Sequence, residues 1–127
     1  MPFRTKRVYD PAEASDGERI LVDRLWPRGV SKERAELDAW EKDAAPSPAL
    51  RTEWHHAEDR PGTFDAFAAR YRDELDENPA AAALLERGRA ADASGETITL
   101  LFGARDETRN HATVLLGWLV AHGATAR

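Results

Sequence analysis

Two short apolar runs decide what this chain can fold into. Arg19-Ile20-Leu21-Val22-Asp23-Arg24 lies between Gly17 and Pro27, and Thr97-Ile98-Thr99-Leu100-Leu101-Phe102 lies between Gly95 and Gly103. Both are rich in branched side chains and closed by residues that break regular structure, so each reads as a strand, the first of them buried. Another strand is expected at the amino terminus, where Phe3-Arg4-Thr5-Lys6-Arg7-Val8-Tyr9 alternates in part before Asp10-Pro11 stops it. Ser15-Asp16-Gly17 reads as a loop between the first two strands.

The stretch between the runs carries helical spacing. Ser31 is a candidate N-cap, with Arg34 at the third helical position, so its capping box is incomplete. Leu37, Trp40 and Ala44 fall on one face of a short helix that must end before Pro46. Ser47 can cap the next helix, with Pro48 at its first position and Leu50 and Trp54 four apart. Thr63 opens a longer helix whose Phe64, Phe67, Tyr71 and Leu75 make an apolar stripe. Asn78-Pro79 opens another over Ala80–Arg89, with Gly88 weakening its end. The last helix is expected from about Glu107 to His122, with Ala112, Leu115, Leu116 and Leu119 inward and Gly123 closing it. The order strand, strand, helices, strand, helix predicts one α/β domain over residues 1–127. It has a small, mainly parallel sheet of about three to four strands packed with several helices.

Composition sets outer limits. A chain of 127 residues with 42% hydrophobic content suits one domain with a modest core. No apolar run approaches the roughly 18–20 residues that cross a bilayer, and the start does not read as a signal peptide, so no membrane partner is expected. The absence of cysteine excludes disulfides, thiolate catalysis and cysteine metal sites, and fits a reducing cytoplasm. His55 and His56 are adjacent and cannot share a helix face as a zinc-binding pair does, so no metal site is predicted. No motif names a cofactor.

The net charge of −5 argues against broad nucleic-acid binding, but the sum is uneven along the chain. Residues 1–34 hold 8 Lys and Arg against 6 Asp and Glu, residues 35–97 hold 7 against 15, and residues 98–127 hold 3 against 2. The acidity therefore sits in the helical middle. The ends are mildly basic and carry the unusual polar residues.

Those residues cluster where two strands end. One cluster is Asp23-Arg24-Leu25-Trp26-Pro27-Arg28-Gly29 followed by Lys32; the other is Gly103-Ala104-Arg105-Asp106 followed by Asn110 and His111. Ligands of open α/β sheets bind beyond the carboxyl ends of strands. If the two strands are parallel neighbours, Asp23, Arg24, Arg28, Arg105 and Asp106 converge. Arginine forks match phosphate or carboxylate oxygens, so Arg24, Arg28, Lys32, Arg51 and Arg105 are candidate anion ligands, with Ser15 a further one. Asp23, Asp106 and His111 are candidates for proton transfer. Each also has a plain structural reading: Asp23 pairing with an arginine to fix the loop, Trp26 plugging the core, Ser15 in an ordinary turn, His111 packing or capping. Phe64, Phe67, Tyr71 and Trp118 read as core rather than as a base-stacking platform.

These residues carry a family resemblance. Lys6-Arg7-Val8-Tyr9, Ser15-Asp16-Gly17, Val22-Asp23-Arg24-Leu25-Trp26-Pro27-Arg28-Gly29, Lys32, Trp40, Ala45-Pro46-Ser47, Leu50-Arg51, Asp106, Asn110 and His111-Ala112 resemble the bacterial domain-of-unknown-function 488 family, the YeaO-like group. The likeness covers nearly the whole chain. Gly103-Ala104-Arg105 stands where the family pattern has Ala-Ala-Lys, which keeps the cation, and Trp54-His55-His56 departs from Phe-Gly-His. The resemblance implies a small cytosolic α/β protein and brings no reaction with it.

Three functions compete on this reading. The first is a small enzyme or sensor for a phosphorylated or nucleotide-like anion, so a small anionic ligand is the expected partner. The second is a nucleic-acid-binding or regulatory module using the basic amino-terminal face. The third is a partner-binding protein in which the Asp–Arg motif only locks a loop.

Overall fold

The computed structural model describes residues 2–57 and 63–124, the side chains of residues 55–57 excepted. His55 and His56, weighed above as metal ligands, thus lie outside the described side chains.

Four strands, β1 (Phe3–Arg7), β2 (Glu18–Leu21), β3 (Ala39–Trp40) and β4 (Ile98–Phe102), form one sheet in the order β1-β4-β2-β3. Every neighbouring pair is parallel, with Phe3 opposite Ile98, Glu18 opposite Ile98 and Ile20 opposite Ala39. β4 is central and all five of its residues are buried. Its unbroken apolar run follows from cover on both faces, as parallel strands require.

The two faces differ. Phe3, Ile20, Val22, Ile98, Leu100 and Phe102 share one core with residues of α3 (Thr63–Asp76), α4 (Pro79–Ser94) and α5 (His111–Ala121). α2 (Pro48–Ala57) adds Leu50 and Trp54, the latter stacked on Phe67 at 4.9 Å. On the other face Leu21 and Leu101 meet Val8, Val30 and Ala35, the last from α1 (Lys32–Ala35). Successive strand residues alternate between these two cores.

The second face also buries polar groups. Asp16 is fully buried, and its carboxylate takes bonds from Lys6 Nζ at 3.1 Å, Arg19 Nη1 at 2.5 Å and the Glu13 amide at 3.0 Å. Thr99 Oγ1 donates to the Asp16 carbonyl at 2.7 Å. Ser15-Asp16-Gly17 is thus a 3-10 turn (Ala14–Asp16) anchored across the sheet by charge.

Three expected elements differ from those found. Leu37, Trp40 and Ala44 do not share a helix. Ala39–Trp40 is the edge strand β3, and only Lys42–Ala44 coils, as a 3-10 turn. The open edge of β2 draws this segment in, since the Asp38 amide donates to the Arg19 carbonyl and the Glu41 amide to the Leu21 carbonyl, both at 2.8 Å. α4 runs past Gly88 to Ser94 and ends on Gly95 in the left-handed conformation. α5 begins at His111, not near Glu107. Asp106 Oδ1 instead takes the amides of Thr108 and Arg109, and this local turn competes with the helix until Asn110 caps it through the Thr113 amide.

Candidate functional site

β2 and β4 are parallel neighbours, so the loops leaving them open on the same side of the sheet. Between those loops lies a cleft of about 310 Å³. Asp23, Arg24, Trp26 and Arg28 line it from the first loop, Gly103 from the second, Arg51 from α2 and His111 from the start of α5, with Tyr9 closing one side.

The floor is a carboxylate and an imidazole. Asp23 Oδ2 accepts the Gly103 amide at 2.9 Å, and its backbone carbonyl accepts Trp40 Nε1 at 2.7 Å. His111 Nε2 lies 2.9 Å from Asp23 Oδ1 and 3.2 Å from the Val22 carbonyl. A carbonyl only accepts, so Nε2 carries the proton and, in the neutral ring, Nδ1 is the bare nitrogen. Asp23 Oδ1 is buried with no donor aligned on it, because the single Nε2 hydrogen serves the carbonyl beside it.

The three arginines play different parts. Arg24 donates from Nε to the Pro46 carbonyl at 3.1 Å and from Nη2 to the Ala45 carbonyl at 3.3 Å, with Nη1 3.9 Å from Asp43. It clamps the segment before α2. Tyr71 holds the same segment, its hydroxyl donating to the Ala44 carbonyl at 2.5 Å. Burial, with Glu74 and Asp23 nearby, pushes that hydroxyl far above the usual phenol range, so it stays a donor. The guanidinium groups of Arg28 and Arg51 form no hydrogen bond or ion pair among the described residues. The Arg28 loop is held instead by its backbone, whose carbonyl accepts the Tyr9 hydroxyl at 3.0 Å.

The remaining candidates lie elsewhere. Ser15 sits at the opposite, amino-terminal end of the strands, beside Gly17, Glu18 and Thr97. Lys32 is exposed at the start of α1, and Arg105 is exposed on the loop after β4. Neither lines the cleft. Asp106 is exposed in its own turn, where the amides of Arg109 and Thr108 and the Thr108 hydroxyl hold its carboxyl below the usual carboxylate range. Such a carboxylate is a weak base.

Sequence reasoning missed Tyr9 as part of the cleft, and Trp26, which packs against the second core as expected, also lines it. It also missed the Gly103 amide as the partner of Asp23. A signal for Gly103 existed: a glycine closing a buried strand marks a close backbone approach. A Cβ there would stand 2.9 Å from Asp23 Oδ2. Among the described residues no group of three or more His, Asp or Glu is placed to hold a metal ion, and no helix is long and apolar enough to cross a membrane.

Comparison with known proteins extends the resemblance to the full length. Residues 2–127 match a family model described as the inactive DUF488-N3 subclade. The chain is 45% identical over 120 residues to the uncharacterized protein YeaO of Escherichia coli K12, covering 94% of this chain and 97% of that one. It is 41% identical over 113 residues to the uncharacterized proteins Rv3073c of Mycobacterium tuberculosis H37Rv and Mb3100c of Mycobacterium bovis, covering 88% of each chain. No solved structure matches it. The chain belongs to the DUF488 family, in its inactive N3 subclade.

Proposed function

We propose that this protein binds a small phosphorylated or nucleotide-like anion and acts as a sensor rather than as a catalyst. The observation that carries the reading is the pair Arg28 and Arg51. Both residues line one cleft, and no carboxylate answers either guanidinium among the described residues. A cation left without a protein counter-ion beside a concave surface is suited to an incoming anion. Tyr9 and Trp26 add aromatic wall, which suits a ligand carrying a ring as well as a phosphate.

Binding without turnover is favoured by what surrounds the cleft. The hydroxyl groups nearest to it are engaged: Tyr9 donates to the Arg28 carbonyl, and Ser47 donates to Glu74 at 2.6 Å. The partner of Tyr9 is a carbonyl, which cannot take its proton, and Ser47 does not line the cleft. The description of the matching family as inactive agrees.

Isothermal titration with inorganic phosphate and with a nucleoside 5′-monophosphate tests the reading. Saturable binding is expected, weakened about ten- to a hundredfold in Arg28→Ala or Arg51→Ala, the loss of one charge-assisted contact. Affinities unchanged in both variants, or no binding of either probe, would overturn it.

A further inference from the structure

The Asp23–His111 pair has a geometry that the anion reading alone does not use. Nε2 of His111 is pinned between the Val22 carbonyl and Asp23 Oδ1, and Nδ1 has no hydrogen-bond partner among the described residues. The ring lines the same cleft as Arg28 and Arg51. We propose that His111 contacts the bound anion directly, taking up a proton on Nδ1 as the anion binds and donating it to an anion oxygen, with Asp23 as the positioning residue. The inference rests on the anion-binding reading and names the ligand class as a dianionic tetrahedral oxyanion, a phosphate monoester or inorganic sulfate.

The charges around the ring argue for this. Arg28 and Arg51 bring two positive charges to the cleft and Asp23 one negative charge. Arg24 is paired with Asp43, Glu74 of α3 keeps its charge but lies outside the cleft lining, bonded to Ser47, and Tyr71 is neutral. Arg105 and Asp106, on the loop before α5, are exposed and do not line the cleft. The balance is one positive charge, one short of a dianion. A second proton on His111 closes that difference.

The fields on the ring oppose one another until the ligand arrives. His111 is the first residue of α5, where the helix dipole is positive, and the guanidinium groups add to that field. Asp23 Oδ1, buried beside Nε2 with no aligned donor, acts the other way. An incoming dianion tips the sum toward the charged ring, which then donates to the anion from Nδ1 and to the Val22 carbonyl from Nε2, with Asp23 Oδ1 beside it as counter-charge. Charge is conserved, since the proton comes from solvent and no bond in the ligand changes.

Long-range proton–nitrogen spectra of the histidine rings, titrated with sodium sulfate, test the proposal. Sulfate does not titrate near neutrality, so any proton gained is the protein's. Loss of one ring signal in His111→Gln assigns His111. Without sulfate the ring should show one protonated nitrogen, Nε2, and one bare nitrogen, Nδ1. Saturating sulfate should move Nδ1 to the protonated position. Sulfate affinity should rise by up to about tenfold per pH unit as pH falls from about 8 to about 5, and this slope should flatten in His111→Gln. Asp23→Asn gives a second readout, because loss of the carboxylate beside Nε2 should lower the pH dependence of sulfate binding. Sulfate binding that shifts the Arg28 and Arg51 side-chain signals but leaves Nδ1 bare would overturn this proposal alone. No sulfate binding at all would overturn it together with the anion reading.

Discussion

Asp16 and Arg19 meet in the interior of the second face of the sheet, carboxylate to guanidinium at 2.5 Å, with side chains 0% and 5% exposed. Lys6 Nζ completes the cluster at 3.1 Å, and Arg19 also donates from Nη2 to the Ala35 carbonyl at 2.8 Å. This one carboxylate therefore pairs with two buried cations, of which Lys6 also reaches Glu13 Oε1 at 2.9 Å. Replacing Asp16 by Asn keeps the volume but leaves Arg19 buried without a counter-charge and Lys6 with Glu13 alone. Breaking a buried pair from one side costs roughly 3–5 kcal/mol. Urea unfolding should show a loss of that size. If the variant retains the wild-type midpoint, the cluster contributes nothing to stability.

The same cluster sets a pH dependence with two limbs. Burial pushes the Asp16 carboxyl up, but the Glu13 amide, Lys6 and Arg19 outweigh it and hold it below its ordinary 3.8. A depressed carboxyl contributes stability above its unfolded value and loses it as pH falls through the folded one, so this limb lies below pH 3.8. Burial pushes Lys6 down, yet Glu13 and Asp16 outweigh it and raise the amine above 10.5. Its contribution is full below pH 10.5 and fades as pH climbs through the raised value. The stability gap between wild type and Asp16→Asn should accordingly narrow below about pH 4. A gap that stays constant to pH 2 would contradict the assignment.

Arg24 and Arg28 are four residues apart and should separate cleanly by measurement. Arg24→Ala removes the donors of the buried Ala45 and Pro46 carbonyls, and should lower stability by roughly 1–3 kcal/mol, with anion affinity falling as α2 and Arg51 loosen. Arg28→Ala removes an exposed side chain with no partner among the described residues, so its melting temperature should match wild type while its phosphate affinity drops. Equal melting temperatures in both variants would show that Arg24 is no clamp.

How far the sequence revealed this arrangement depends on whether the cause was local. The buried strands, the caps at Ser47 and Asn78 and the stripe from Phe64 to Leu75 were legible because each rests on spacing within a few residues. Strand β3 was not, since Ala39 and Trp40 are drawn into the sheet by the open edge of a strand some twenty residues earlier. At the cleft, Asp23, Arg24, Arg28, Arg51 and His111 could be named from residue type and strand exits. What each one bonds could not. Arg24 and Arg28 look equivalent in the motif, and only the approach of Ala45 and Pro46 separates them. Arg105 and Asp106 were grouped with them because they follow the exit of β4, but both are exposed and Asp106 is held in a local turn of its own ahead of α5.

Gly88 and Phe3 supply a prediction whose sign runs against helix propensity. Gly88 lies inside α4, a position where Ala would ordinarily stabilise by about 1 kcal/mol. Here the helix packs so closely on β1 that a Cβ at residue 88 would stand 2.3 Å from Phe3 Cε2 and 2.7 Å from Cζ. Phe3 is fully buried in the core on the helical face of the sheet, so its ring or the helix must shift to admit the new methyl. Overpacking of a filled core costs roughly 1–3 kcal/mol, which exceeds the propensity gain. Gly88→Ala should therefore destabilise, and pairing it with Phe3→Leu should recover part of the loss by giving the new methyl space. Thermal melts of the two single variants and the double variant decide the matter: additive losses would mean that the two positions do not touch.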